Sequence, residues 1–248
     1  MSGHSKWATI RRKKSALDAK RGKMFTALIK EIQVAARTGG SDETSNPRLR
    51  TAIAAAKTAN MPNDNIKKAI LRGTGDLPGV NYEEISYEGY GPGGVAILIE
   101  CMTDNKQRTV ADVRHMFSKY NGSLAENGAV SWIFHDKGVL TFSGKEYDED
   151  TLMEHVIESG AEDMIPEDVT FQVTCSQKDF PAVQTYFDEH ELVYESAEIA
   201  KLPQSTVKVE AKDVKTLLKL MDALEESDDV QKVWANFDID DELLEEVE

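Results

Sequence analysis

The stretch Thr206–Phe237, TVKVEAKDVKTLLKLMDALEESDDVQKVWANF, decides how the chain folds. It reads as a strand over Thr206–Glu210, a helix over Asp213–Glu225 and a second strand over Val230–Phe237. Val214, Leu217, Leu218, Met221 and Leu224 recur at the three- and four-residue spacing that gathers apolar side chains on one helix face. Two strands alone make a sheet too small to stand in water. The unit therefore needs a partner sheet from elsewhere in the chain.

An earlier segment offers one. Val95–Cys101 reads as a strand, a helix starts near Thr109 with Val110, Val113 and Phe117 inward, and the run AVSWIF, in which Val130, Trp132 and Phe134 alternate, reads as another strand. Between the two units, residues 137–203 carry a run of their own: strand Val139–Phe142, helix Thr151–Ser159, strand Val169–Cys175, helix Phe180–His190 and strand Val193–Ile199. The expected fold class is multidomain α and α+β, with an N-terminal three-helix bundle followed by two α+β domains, one inserted in the other. In residue numbers this is a basic helical domain over 1–75, a split α+β domain over 76–135 and 204–248, and an inserted α+β domain over 136–203. The acidic tail DIDDELLEEVE is expected to be a solvated end.

Upstream the spacing is helical. Leu17, Phe25, Leu28, Ile29, Ile32 and Ala36 form one stripe with Lys23, Lys30, Gln33 and Arg37 on the other side, and Gly39-Gly40 ends the helix. Asn46 followed by Pro47 is an N-cap with proline at the first helical position, opening a helix on Leu49, Ala52, Ile53 and Ala56. A third helix keeps Ile66, Ala69 and Ile70 inside and stops at Gly73. Residues 73–94, GTGDLPGVNYEEISYEGYGPGG, are expected to be a linker. Their glycines precede a strand, whereas a phosphate loop needs a strand before it and a helix after it.

Charge is segregated along the chain. Residues 1–75 hold 16 basic and 5 acidic side chains, a net of +11, which leaves 13 basic and 39 acidic beyond them, a net of −26. Within Met1–Phe25, MSGHSKWATIRRKKSALDAKRGKMF, eight Lys or Arg stand against Asp18 alone. Like charges so crowded weaken a compact state unless a counter-charged partner offsets them, so the head points to a polyanion and the body away from it. The candidate nucleic-acid-binding residues are His4, Lys6, Trp7, Arg11, Arg12, Lys13, Lys14, Lys20, Arg21, Lys23, Arg48, Arg50, Lys67 and Lys68. Trp7 would either stack on an unpaired base or anchor the arm to the bundle. Lys106 and Arg108, in the cluster TDNKQRT at a strand-to-helix junction, are candidates for a secondary phosphate contact, the competing reading being a turn capped by Thr109. No helix-turn-helix or zinc-finger recognition motif is legible, so the contacts expected are to backbone and shape.

Other classes find little support. The histidines His4, His115, His135, His155 and His190 lack metal-ligand spacing, and no Gly-x-Ser-x-Gly, His-Glu-x-x-His or GK[ST] loop occurs. No catalytic residue, metal or cofactor is expected. Cys101 and Cys175 lie in apolar runs without a partner at metal spacing and read as core residues of a reducing compartment. No apolar run nears the roughly 18 residues that span a bilayer, and no signal-peptide apolar region opens the chain, so a cytoplasmic protein with neither membrane nor small-molecule partner is expected. An adaptor reading stays open, in which the acidic body binds a basic partner and the head folds back on it.

GHSKWATIRRKKSALDAKRGKMF, NPRLRTAIAAAKTANMPNDNIKKAI and YEGYGPGGVAILIECMTDNKQRTVADVRHMFSKYNG closely resemble the YebC family, known in bacteria as probable transcriptional regulatory proteins and in mitochondria as a translational activator. The resemblance covers essentially the whole chain. It implies a helical bundle with two α+β domains and a cytosolic nucleic-acid-linked regulator, described as DNA-binding. Some relatives act instead at the ribosome, easing synthesis through consecutive prolines, which would make ribosomal RNA the partner. The motif positions that carry over are Gly3, His4, Ser5, Lys6, Trp7, Arg11, Lys13, Lys14, Asp18, Lys20, Arg21 and Lys23. Ala129 stands where relatives often have serine, which touches only a local hydroxyl contact.

Overall fold

In the computed structural model the described residues are 17–167 and 169–245, with side chains described from residue 22. Helices α1 (Leu17–Gly39), α2 (Pro47–Thr58) and α3 (Asn63–Thr74) form the bundle. Asn46 caps α2: its Oδ1 accepts from Leu49 N at 3.1 Å, and its Nδ2 donates to Ala35 O and Gly40 O at 2.8 Å each, which also fastens the turn to α1. The core comprises Ile32, Ala35, Ala36, Leu49, Ala52, Ile53, Ala56, Met61, Ile66 and Ala69. Gly73 does not end α3. The helix runs on to Thr74 and is closed by Gly75 at φ 87°. Gly73 is small for another reason: a Cβ there would lie 2.5 Å from Gln33 O and 2.9 Å from Ala36 Cβ on α1.

The stretch expected to be a linker holds a strand. β1 (Glu83–Tyr90) turns through a 3-10 segment, Pro92–Gly94, in which Gly93 and Gly94 have φ of 72° and 78°, and pairs antiparallel with β2 (Ala96–Thr103). Its glycine and carboxylates hid it. Gly89 is required because a Cβ would lie 2.6 Å from the Phe117 ring, and Glu88, 5% exposed, turns its carboxylate to a neighbouring loop. Helix α4 (Lys106–Lys119) follows, then the short β3 (Ser123–Leu124), which pairs with β1.

AVSWIF is not a strand. Ser131–Ile133 form a 3-10 turn, because Glu88 accepts the backbone N–H groups of Gly128 (2.7 Å), Val130 (2.6 Å) and Ser131 (2.9 Å) and withdraws them from any ladder. Burial in the hydrogen-bonded loop opposes the charge, but these three donors prevail and hold the Glu88 carboxyl below its ordinary range. Val130, Ile133 and Phe134 go inward while Trp132 is 66% exposed.

β4 (Phe134–Ser143), α5 (Glu149–Ser159), β5 (Asp163–Glu167), β6 (Thr170–Ser176), α6 (Phe180–Glu189) and β7 (Ser196–Pro203) build the inserted unit. The strand order is β5-β6-β4-β7, antiparallel throughout. β5, with Pro166 in it, was not expected, and β7 starts later than the apolar Val193 indicated, leaving that side chain 67% exposed.

The chain then returns. β8 (Val207–Lys208), α7 (Ala211–Glu226) and β9 (Val230–Ala235) follow, and β9 pairs antiparallel with β2, Ile97 opposite Ala235 and Ile99 opposite Val233, giving the sheet order β3-β1-β2-β9. β8 stays outside that sheet and pairs in parallel with β10 (Phe237–Asp238). The tail is not simply solvated: Ile239 is buried, and Leu243 and Leu244 of α8 (Asp241–Glu245) pack on the core.

α4 and α7 cover one face of this sheet, over Ile97, Ile99, Val113, Phe117, Leu217 and Met221 among others. The opposite face presents Ala96, Leu98 and Trp234 to Val139 and Ala200 of the inserted sheet, so an apolar cluster joins the two α+β domains. The fold is thus a three-helix bundle followed by two α+β domains, one inserted in the other.

Candidate nucleic-acid interface

His4, Lys6, Trp7, Arg11, Arg12, Lys13 and Lys14 lie outside the described residues, as do the side chains of Lys20 and Arg21, whose backbone is in the first turns of α1. Lys23 is described and partly buried. Its Nζ donates to Ser227 O at 2.9 Å, just past the C-terminal end of α7, where a cation meets the negative end of the helix dipole.

The polar side of α1 does not all face water. Lys30 and Gln33 are only 4% and 6% exposed, because that side rests on the α+β body. Lys30 Nζ donates to Met102 O (3.0 Å), Asp228 O (2.7 Å) and Asp229 Oδ1 (3.0 Å), and lies 5.0 Å from the centre of the Tyr82 ring. The other oxygen of Asp229 accepts from Thr103 Oγ1 (3.1 Å), Thr109 Oγ1 (2.9 Å) and Arg108 Nη2 (2.8 Å). Burial disfavours the Asp229 charge, yet its bonds to Arg108, Lys30 and Thr109 outweigh that and bring its pKa down to about 2.

This seam corrects several expectations. The N-cap of α4 is Asn105, whose Oδ1 accepts from Arg108 N, and Thr109 sits one turn further in as a ligand of Asp229. Arg108 is held by Asp104 and Asp229, and Lys106 by Glu83. Arg48 is likewise engaged: it takes Glu31 and Glu84 on α1 and β1, and two hydrogen-bonded carboxylates raise its pKa further. Arg48 ties the head to the body, Lys106 and Arg108 are paired within the body, and all three have carboxylate partners rather than standing open to a phosphate. Only the tertiary pairing shows it, since Glu31, Glu84 and Asp229 are far from them in sequence.

What remains exposed is the outer surface of α2 and α3. Lys67 and Lys68 project from α3, and Arg50 from α2, with its guanidinium donating to Glu43 O at 3.0 Å. Lys57 and Arg72, which the helical spacing puts off the apolar stripes, are exposed with them. Among the described residues none of these five cations pairs with a carboxylate. Arg37, which donates to Tyr82 O, and Arg72 flank a shallow cleft with Gln33, Gly73 and Asn81. Cations arranged this way neutralise phosphates and release counterions.

Other clusters are closed. Tyr186 gathers His155, 3.0 Å from its hydroxyl, and His190, stacked at 4.0 Å, and donates to Glu158 Oε2 at 2.7 Å, a convergence the sequence spacing hides. Among the described residues no three His, Cys, Asp or Glu come together to hold a metal ion, and no helix is long and apolar enough to cross a membrane. Cys101 and Cys175 are free and buried, and burial pushes their thiols up to about 12 and about 11.

A helical head carrying cations that no carboxylate among the described residues pairs with, pinned by the buried Lys30–Asp229 ion pair to a pair of interlocked α+β domains, defines a three-part architecture. Comparison with known proteins places it. The profile described as "TACO1/YebC protein N-terminal domain" matches residues 5–76, and that described as "TACO1/YebC second and third domain" matches residues 82–237. The chain belongs to the TACO1/YebC family. It is 56% identical over 243 residues to a protein of Desulforapulum autotrophicum, covering 98% of each chain, and 55% identical over 248 residues to one of Syntrophobacter fumaroxidans, covering 100% of each. Both carry the name probable transcriptional regulatory protein. A crystal structure of a conserved hypothetical protein from Aquifex aeolicus is similar at a TM-score of 0.83 and 44% identity, over 92% of this chain and 94% of that one.

Proposed function

We propose that the protein is a non-enzymatic regulator of gene expression that binds nucleic acid through its helical head, in the manner of a DNA-binding transcriptional regulator working in the cytoplasm. The observation that carries this reading is the charge segregation, +11 over residues 1–75 against −26 beyond, with Lys57, Lys67, Lys68, Arg50 and Arg72 exposed on α2 and α3 without carboxylate partners among the described residues. The names of the curated relatives support the regulatory part. The basic block over residues 6–23 adds to the same reading by its charge alone. Binding is to the phosphate backbone, since no recognition helix offers base contacts.

The test is the salt dependence of binding to a 30-base-pair duplex. With about six phosphates engaged by the head, the head contributes about −5 to the slope of log K against log salt on duplex DNA. Lys67→Gln/Lys68→Gln should weaken binding and reduce the slope by about 2, at roughly 0.9 per contact. A wild-type slope near zero, or a variant that binds like wild type, overturns the reading. Tight retention on ribosomes with no duplex binding would move the same cations onto ribosomal RNA and replace the transcriptional assignment.

A further inference from the structure

The acidic body is not uniformly acidic. Its 13 Lys and Arg beyond residue 75 divide sharply: seven form ion pairs within the body, and six have no carboxylate partner among the described residues. Two of those six, Lys145 and Lys178, stand on turns of the inserted unit. The other four, Arg114, Lys119, Lys215 and Lys219, are all on α4 and α7, the two helices that cover one face of the same sheet. Lys119 touches the Tyr120 ring, 5.2 Å from its centre.

The burial pattern explains why they face outward. On α7 the residues Val214, Leu217, Leu218, Met221 and Leu224 are buried, so the helical period leaves Lys212, Lys215 and Lys219 on the crest. On α4 the buried Thr109, Val113 and Phe117 leave Arg114 and Lys119 on the outer side. With Lys106, Arg108 and Lys212 set aside as ion-paired, the exposed charged side chains on the two helices are four cations and two anions, Asp112 and Glu226, while the body as a whole carries −26. Asp213, Asp222 and Glu225 are half-buried.

The row lies on the helix to which the head is joined, with the exposed Glu226 between it and the junction. Lys23, in the basic N-terminal part of α1, is bonded to Ser227 at the C-terminal end of α7. Along α7, at 1.5 Å per residue, Lys219 and Lys215 lie about 12 and 18 Å beyond that junction. A chain held at the start of α1 would reach this row after passing the exposed Glu226.

We infer that the outer face of α4 and α7 is a second phosphate-binding surface, along which the backbone of the nucleic acid held by the head continues. The inference rests on the nucleic-acid reading of the head and extends the footprint onto the body. It gives the body a part in binding that its net charge conceals: the acidic remainder repels the strand and confines it to the one helical layer that is cationic.

The experiment uses the full chain and the same 30-base-pair duplex. Arg114→Gln/Lys119→Gln/Lys215→Gln/Lys219→Gln removes four charges that no carboxylate among the described residues holds, and circular dichroism melting checks that the fold is kept. Affinity should fall at least about ten-fold at moderate salt, and the slope of log K against log salt should lessen by about 3 to 4, at roughly 0.9 per lost contact. Lys145→Gln/Lys178→Gln, which removes two charges from the inserted unit, should leave both unchanged. If the quadruple variant binds like wild type while Lys67→Gln/Lys68→Gln weakens, this surface is refuted and the head reading stands. Failure of wild type to bind the duplex refutes both. An equal loss in the Lys145/Lys178 control would reduce the effect to net charge and overturn the assignment. So would displacement of the duplex by poly-glutamate at equal charge concentration, which would give the face to an acidic protein.

Discussion

Replacing Asp229 by alanine should release the helical head from the body. The Lys30 side chain is 5% exposed and that of Asp229 11%, so the substitution leaves an ammonium buried with only Met102 O and Asp228 O to receive it, and takes one acceptor from the hydroxyls of Thr103 and Thr109. Breaking one side of a buried ion pair costs about 3–5 kcal/mol. The titration of Asp229 gives a second measure. Its pKa falls from 3.8 to about 2, which corresponds to about 2 kcal/mol of stability from the ionised state. Because the folded value is depressed, that contribution is complete above the unfolded pKa and is lost as pH falls from about 5 toward 2. The assay is urea unfolding of wild type, Asp229→Ala, Lys30→Met and the double variant, with limited proteolysis of the exposed residues 75–80 as a probe of docking. The single aspartate variant should lose the most and be cut fastest. The double variant should recover part of the loss, with a coupling energy on the order of 2 kcal/mol. A coupling energy below about 0.5 kcal/mol, or unchanged cleavage at 75–80, would show that the pair does not hold the head.

Two further substitutions test how local features were built. Glu88→Ala should free the loop at 128–131 and cost about 1–3 kcal/mol for the buried Val130 N–H alone, read as a lower melting temperature with faster amide exchange at Gly128, Val130 and Ser131. In wild type the lowered pKa of Glu88 makes this contribution present at neutral pH and lost in acid as the carboxylate protonates, so the exchange protection should fade there first. Gly73→Ala would put a methyl 2.5 Å from Gln33 O, forcing α3 away from α1 and costing about 1–3 kcal/mol, although alanine is the better helix former. A variant as stable as wild type would mean the α1–α3 contact is looser than its geometry indicates.

The helices were legible because their apolar spacing is a local pattern, and Asn46-Pro47 and Gly39-Gly40 mark their ends with residues that act through their own backbone. The inserted arrangement was legible too, from the inability of Thr206–Phe237 to form a sheet alone, and β9 pairs with β2 as that requires. β1 was missed because Gly89 and Glu88 look like loop residues until Phe117 and the 128–131 loop are placed beside them. AVSWIF alternates like a strand, but Glu88, more than forty positions earlier, claims its backbone donors.

For the candidate interface the division follows the range of the forces involved. Charge composition is a property of the sequence by itself, so the cationic head and anionic body are determined before folding. Which cations stay available is not. Arg48, Lys106 and Arg108 are satisfied by Glu31, Glu84, Glu83, Asp104 and Asp229, while Lys67, Lys68, Lys215 and Lys219 face solvent. An ion pair forms at about 3 Å, a distance that only tertiary packing sets between residues up to 199 positions apart.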